Sequence, residues 1–166
     1  IGDVVSAIYR APELAVADRR WMARAFELSR GCPPSSTAYA VGAVLVSPDG
    51  KVIATGYSRE TDPKVHAEEV ALAKAGSAIP AGSTLYSTLE PCSKRASRSP
   101  ACAQLLLGQK RITRVVYAVR EPLFFQDGQG DELLRRGALT VRAMDNPAYG
   151  YDAQFRKLQS TNISKI

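Results

Sequence analysis

Residues 39–58, "YAVGAVLVSPDGKVIATGYS", constrain the fold more than any other stretch. Two β-rich runs flank Ser47-Pro48-Asp49-Gly50, a strong turn signal, so the stretch reads as an antiparallel hairpin. Downstream of it, helical and strand patterns alternate. "HAEEVALAKAG" has a helical pattern stopped by Gly76, and "STLYSTLE" is a strand that runs into Pro91-Cys92. "SPACAQLLLGQ" reads as a helix with Ser99 as N-cap, Pro100 at its first position and Gly108 closing it. "ITRVVYAV" is an apolar strand of the buried kind, "GQGDELLRRG" a short helix and "ALTVRAM" a last strand. Upstream of the hairpin, "ADRRWMARAFELSRG" places Trp21, Ala25, Phe26 and Leu28 near helical spacing, with Gly31 able to end the helix.

The order α-β-β-α-β-α-β-α-β predicts strands that are antiparallel in the hairpin and parallel where helices separate them. The expected fold class is α/β, a three-layer α/β/α sandwich around a mixed five-stranded sheet. Residues 1–144 are expected to form the working domain and 145–166 an irregular, basic C-terminal tail too short for a further fold.

Length and composition exclude several classes. A chain of 166 residues with 45% apolar and 23% charged residues can bury one proper core. No run approaches the ~18 apolar residues of a membrane helix. The start lacks a basic region followed by an apolar one, so no signal peptide is expected. Three cysteines, an odd count without a secretion signal, argue against a disulfide framework and for a cytoplasmic location. A net charge of +6 favours an anionic partner, either a phosphorylated metabolite or a nucleic acid. Aromatics at 7% are few for base stacking, which disfavours the nucleic acid.

The only histidine, His66, opens the helix after the hairpin, with Glu68 and Glu69 just behind it. Cys92 lies past a strand and Cys102 in the first turn of the next helix. One imidazole nitrogen and two thiolates make a three-ligand set for Zn2+ with a fourth position open, the pattern of a catalytic rather than a structural site. Cys32, in "GCPPSS", is read as an unligated thiol. Such zinc lowers the pKa of a bound water from 15.7 toward ~7. A carboxylate must then collect the water's proton and deliver it to a leaving group. Helical spacing favours Glu69, at i+3 from His66, whereas first-turn side chains curl around the helix end and leave Glu68 open.

"HAEEVAL" together with "TLEPCSKRASRSPAC" resembles the cytidine-deaminase-like superfamily. "TAYAVGAVLV", "HAE", "TLEPCS" and "GDELLRRGALTV" recur in order in the pyrimidine deaminases of riboflavin biosynthesis, and the resemblance runs from about Trp21 to Val141. It implies His66, Cys92 and Cys102 as zinc ligands and Glu68, of the His-x-Glu signature, as the catalytic proton shuttle. It also implies the sandwich fold. Nine residues separate the two cysteines, where nucleoside and tRNA deaminases mostly have Pro-Cys-x-x-Cys. The loop "SKRASRSPA" and the segment "STAYA" are similar to the fungal-type riboflavin deaminases. The loop has no histidine and position 38 is alanine, so substrate contacts usual in the bacterial enzymes are missing.

Substrate-binding candidates are Lys94, Arg95 and Arg98, as a phosphate clamp between the cysteines, and Thr37 and Tyr39, as lining of a pyrimidine pocket. Glu90 is expected to accept a hydrogen bond from a buried backbone group or from substrate. Phe124 and Phe125 read as packing or as a lid.

The leading expectation is a zinc-dependent aminohydrolase acting on a phosphorylated ribosylamino- or ribitylamino-diaminopyrimidine, assembled as a homodimer. A deaminase of a dCMP-like nucleotide or of an antibiotic-pathway base keeps the chemistry and changes the substrate. A nucleic-acid-editing enzyme and a non-catalytic, zinc-stabilised binding domain are the readings of other kinds. An intact Glu68 disfavours the last, since structure needs no carboxylate there.

Overall fold

The computed structural model describes residues 2–93, 100–121 and 129–164, with side chains described from residue 15 to residue 161 within those ranges. The elements are α1 (Gly2–Ser29), β1 (Gly42–Val46), β2 (Val52–Tyr57), α2 (Ala67–Ala75), β3 (Ser83–Leu89), α3 (Cys102–Gly108), β4 (Ile112–Val119), α4 (Gly130–Arg136), β5 (Thr140–Ala143), a 3-10 turn (Pro147–Tyr149) and α5 (Tyr151–Ser164).

The five strands form one sheet in the order β2-β1-β3-β4-β5. β1 is antiparallel to both β2 and β3, whereas β3, β4 and β5 run parallel. This is the mixed sheet expected from the element order. β1, and β4 from Val115 onward, are buried on both faces, which is why they read as unbroken apolar runs. Two glycines show how closely the layers pack. Gly42 pairs with Tyr57, and its neighbour Ala43 pairs with Gly56, so the two glycines present opposite faces of the sheet. A Cβ on Gly42 would lie 1.9 Å from the carbonyl oxygen of Ala25 in α1, and one on Gly56 would lie 2.3 Å from that of Ala67 in α2. Helices therefore press on both faces, and the backbones come closer than any side chain allows.

α5 joins α1 on its face, with Phe26 and Tyr151 stacked at 5.4 Å between ring centroids. α3 packs between α2 and α4 on the other. Phe26, Leu45, Leu85, Leu106, Val115, Tyr117, Leu134 and Met144 are among the fully buried side chains that fill the space between layers.

Three elements differ from the sequence expectation. α1 begins at Gly2, well before Ala17. α3 begins at Cys102 with Ala101 as its N-cap, not Ser99, and the Gln104 side chain accepts the Ala101 N–H at 3.4 Å. The tail expected to be irregular is helical. Asn146 Oδ1 accepts the Ala148 N–H to start the 3-10 turn, and Tyr151, Phe155 and Leu158 recur at i, i+4 and i+7 along α5. That apolar stripe is narrow and set among polar residues, so its period is weak in sequence. Docking against α1 and the sheet supplies what the local pattern lacks. Among the described residues, no helix is long and apolar enough to cross a membrane.

Candidate metal and active site

The site lies where β3 ends and α2 and α3 begin. His66 is the N-cap residue of α2, in extended conformation, and its N–H donates to Glu69 Oε1 at 3.0 Å. That reciprocal cap fixes how the imidazole leaves the helix. β3 runs out through Glu90-Pro91 to Cys92, whose carbonyl accepts the Ala103 N–H at 3.0 Å. The Cys102 N–H donates to Cys92 Sγ at 3.3 Å. The start of α3 is thereby tied to the end of β3.

The result is a compact group. His66 Nδ1 lies 3.3 Å from Cys102 Sγ and 3.7 Å from Cys92 Sγ. The three donor atoms all lie within 4.8 Å of one another, and both cysteines are buried. Close by, Glu68 is 4% exposed. The Ser87 hydroxyl, on β3, lies 3.2 Å from its Oε1, while its Oε2 lies 3.6 Å from Cys102 Sγ. Of the two glutamates behind His66, Glu68 faces the cluster and Glu69 caps the helix.

The electrostatics suit a cation. The hydrogen bond between the thiols draws the Cys92 pKa far down, against burial, and leaves the proton on Cys102, whose thiol is pushed up by that bond and by burial. Two thiols in contact cannot both ionise without a positive charge between them. One nitrogen and two sulfurs so placed are a donor set that zinc, a borderline-soft ion, accepts. Burial raises the Glu68 carboxyl above its ordinary range.

The other expected site residues fall into three groups. Lys94, Arg95 and Arg98 lie outside the described residues, as do Phe124 and Phe125. Glu90 takes the first of its two expected roles: its oxygens accept the N–H groups of Glu121 at 3.1 Å and Asp131 at 2.8 Å. It thereby joins the end of β3 to the end of β4 and the start of α4. At that start, a Cβ on Gly130 would meet the Pro91 carbonyl oxygen at 1.8 Å. Thr37 and Tyr39 part company. Thr37 is exposed on a turn in which Ser35 Oγ accepts its N–H, and none of its described contacts reaches the cluster. Tyr39 is half-buried, its ring 5.5 Å from Phe155. Burial and the charge of Glu121 both push its phenol up. Cys32 lies apart from the metal-binding group and directs its thiol at the Val41 carbonyl at 3.5 Å.

Glu121 escaped the sequence reading. Glu121 follows β4 as Glu90 follows β3, and both precede a proline. Among the described residues its buried Oε2 has no hydrogen-bond partner. Burial, then the charges of Cys92, Glu90 and Glu68, push its carboxyl up to about 8. The signal was present: ligands of α/β sheets bind at the carboxyl ends of parallel strands, and a Glu-Pro pair begins within two residues of the end of both β3 and β4.

Residues 16–119 match the family model described as the cytidine and deoxycytidylate deaminase zinc-binding region. The chain belongs to this zinc-binding deaminase family. Within it, the chain is 40% identical over 125 residues to the diaminohydroxyphosphoribosylamino-pyrimidine deaminase of Schizosaccharomyces pombe, covering 73% of this chain and 30% of that one. It is 32% identical over 149 residues to the deaminase of the same name from Buchnera aphidicola, covering 88% of this chain and 98% of that one. The solved structure of Acinetobacter baumannii RibD superposes with a TM-score of 0.72 at 30% identity, covering 88% of this chain and 40% of that one. The chain thus spans less than a third of the Schizosaccharomyces relative and nearly all of the Buchnera one.

Proposed function

We propose that this protein is a zinc-dependent aminohydrolase that removes the exocyclic amine of a phosphorylated ribosylamino- or ribitylamino-diaminopyrimidine, a step of riboflavin biosynthesis. The observation that carries this reading is Glu68. A buried carboxyl beside an imidazole and two thiols has no structural use, and it is placed to move a proton. The names of the Schizosaccharomyces and Buchnera relatives support the substrate class.

In this reading His66 Nδ1, Cys92 Sγ and Cys102 Sγ hold the zinc. Bound zinc supplies a Lewis acid that acidifies a water at the site. Ser87 fixes Glu68 through Oε1, so Oε2 does the transfer. That oxygen takes one proton of the attacking water to the ring nitrogen, then takes the proton of the newly added hydroxyl to the departing amine. Carbon–nitrogen cleavage yields a carbonyl and ammonia. Tyr39 and Glu121 wall the ring, and a protonated Glu121 can donate a hydrogen bond to it. Lys94, Arg95 and Arg98 take the phosphate. A cytoplasmic homodimer belongs to the same proposal.

Ammonia release by the zinc-loaded protein tests it. The panel holds the ribosylamino- and ribitylamino-diaminopyrimidinone phosphates, dCMP, cytidine, cytosine and guanine. Turnover confined to the first two is expected. Preference for dCMP or a free base overturns the substrate.

A further inference from the structure

Residues 39–41 lead into β1; the Val41 carbonyl accepts the Ser58 N–H at 3.0 Å, whereas the backbone groups of Ala40 are satisfied by a side chain from a distant element. Gln159 of α5 serves Ala40 as a neighbouring strand would: its Oε1 accepts the Ala40 N–H at 2.7 Å and its Nε2 donates to the Ala40 carbonyl at 3.0 Å. Phe155, one turn earlier on the same face of α5, meets the ring of Tyr39. A single helix thus grips Tyr39–Ala40 by ring and by backbone.

The gripped segment adjoins the site. The Gly42 N–H donates to Thr88 Oγ1 at 3.2 Å, and Thr88 is the neighbour of Ser87, which holds Glu68. Arg59 makes a second link. Its guanidinium donates to the carbonyls of Tyr39 at 3.1 Å and Pro33 at 2.7 Å, and its own N–H donates to the carbonyl of Val65, next to His66. Arg59 holds φ at 61°, a left-handed conformation that costs a side-chain-bearing residue energy and persists because these contacts fix it.

We propose that Gln159 is a positioning residue of the substrate pocket. Its amide fixes the backbone of Ala40 while Phe155 seats the ring of Tyr39, so α5 is part of the pocket's support. This rests on the deaminase reading. Gln159 acts through Tyr39 and touches no reacting atom.

Kinetics of the full, zinc-loaded chain with ribosylamino-diaminopyrimidinone phosphate test it. Gln159→Leu removes two neutral hydrogen bonds, so KM should rise about tenfold, with kcat within about threefold and zinc content unchanged. In a Tyr39→Ala background the same substitution should add nothing to KM, because the residue it acts through is gone. Additive effects on KM overturn the proposal. So does a lowered Tm with KM unchanged at a temperature well below it, which assigns Gln159 to stability alone. If Gln159→Leu fails to fold, Phe155→Leu keeps an apolar side chain while removing the ring that meets Tyr39 and should still raise KM about threefold; an unchanged KM there overturns the proposal. Wild-type protein with one zinc that releases no ammonia from this pyrimidine sinks the deaminase reading and this inference with it. Active wild type beside two kinetically silent variants sinks the inference alone.

Discussion

Glu68 and Glu69 are adjacent in sequence and opposite in role, and the helix end separates them. Glu69 turns back to the His66 N–H, whereas Glu68 is buried against Ser87 and Cys102. Glu68→Gln keeps the shape and loses the proton carrier. Ammonia release should fall by ~10²–10⁴ with zinc content and Tm retained. Glu69→Ala should leave kcat near wild type and cost about 0.5–2 kcal/mol in urea unfolding, the usual cost of a lost cap. A reversed pattern would exchange the two roles. Glu121 allows a test with opposite signs. Among the described residues its buried Oε2 has no partner, which would cost about 1–3 kcal/mol in the folded protein. Glu121→Leu should therefore raise Tm while kcat/KM falls by about tenfold or more. A lower Tm would show that the carboxyl is structurally satisfied.

Elements are locked together by one buried carboxylate outside the cluster. Asp18 of α1 is fully buried and accepts the Tyr86 hydroxyl of β3 at 2.7 Å, the Arg114 guanidinium of β4 through two bonds at 2.6–2.8 Å, and Arg142 of β5. One side chain so pins a helix to three strands. Burial alone would push its pKa up, but the hydrogen bonds from Arg114, Tyr86 and Arg142 hold it below the ordinary carboxylate range. A depressed folded pKa contributes stability that is complete above the unfolded value of ~3.9 and is lost as pH falls through the folded value. Urea unfolding between pH 6 and pH 2.5 should show this loss, and Asp18→Ala should flatten it. At pH 7 the same substitution should cost about 3–5 kcal/mol, because it strands two arginines against the core. A cost under about 1 kcal/mol would mean that water replaces the carboxylate.

Across the whole molecule, the cluster ties α2, β3 and α3 to one point, so metal and fold are linked. Loading zinc at 100 times its Kd should stabilise the protein by about 2.7 kcal/mol, and a chelator should lower Tm accordingly. Metal analysis should find zinc lost from His66→Ala and Cys92→Ala and retained by Cys32→Ala. Loss from the last would imply a fourth ligand. Much of this was legible in the chain itself. The hairpin turn, the alternation of helix and strand patterns, and the types and order of His66, Glu68, Cys92 and Cys102 are local properties, because hydrophobic period and turn chemistry are written in neighbouring residues. Tertiary structure decided the rest. Glu68 was separable from Glu69 by family signature alone, until Ser87 of β3 was seen to fix one and the His66 N–H the other. Glu90 carried two possible partners, and the approach of Asp131 and Glu121, 41 and 31 residues away, chose backbone. α5 read as irregular because its stripe is narrow, and it becomes a helix by docking on Phe26 and Tyr39. Glu121 and Gln159 went unseen for the same reason. A carboxyl matters here because it is buried beside charges far along the chain, and an amide because it meets a backbone 119 residues away. Sequence sets which chemistry the chain carries and which local structures it forms. Burial and long-range contact set which of those groups meet, since both depend on the approach of segments whose sequences say nothing of one another.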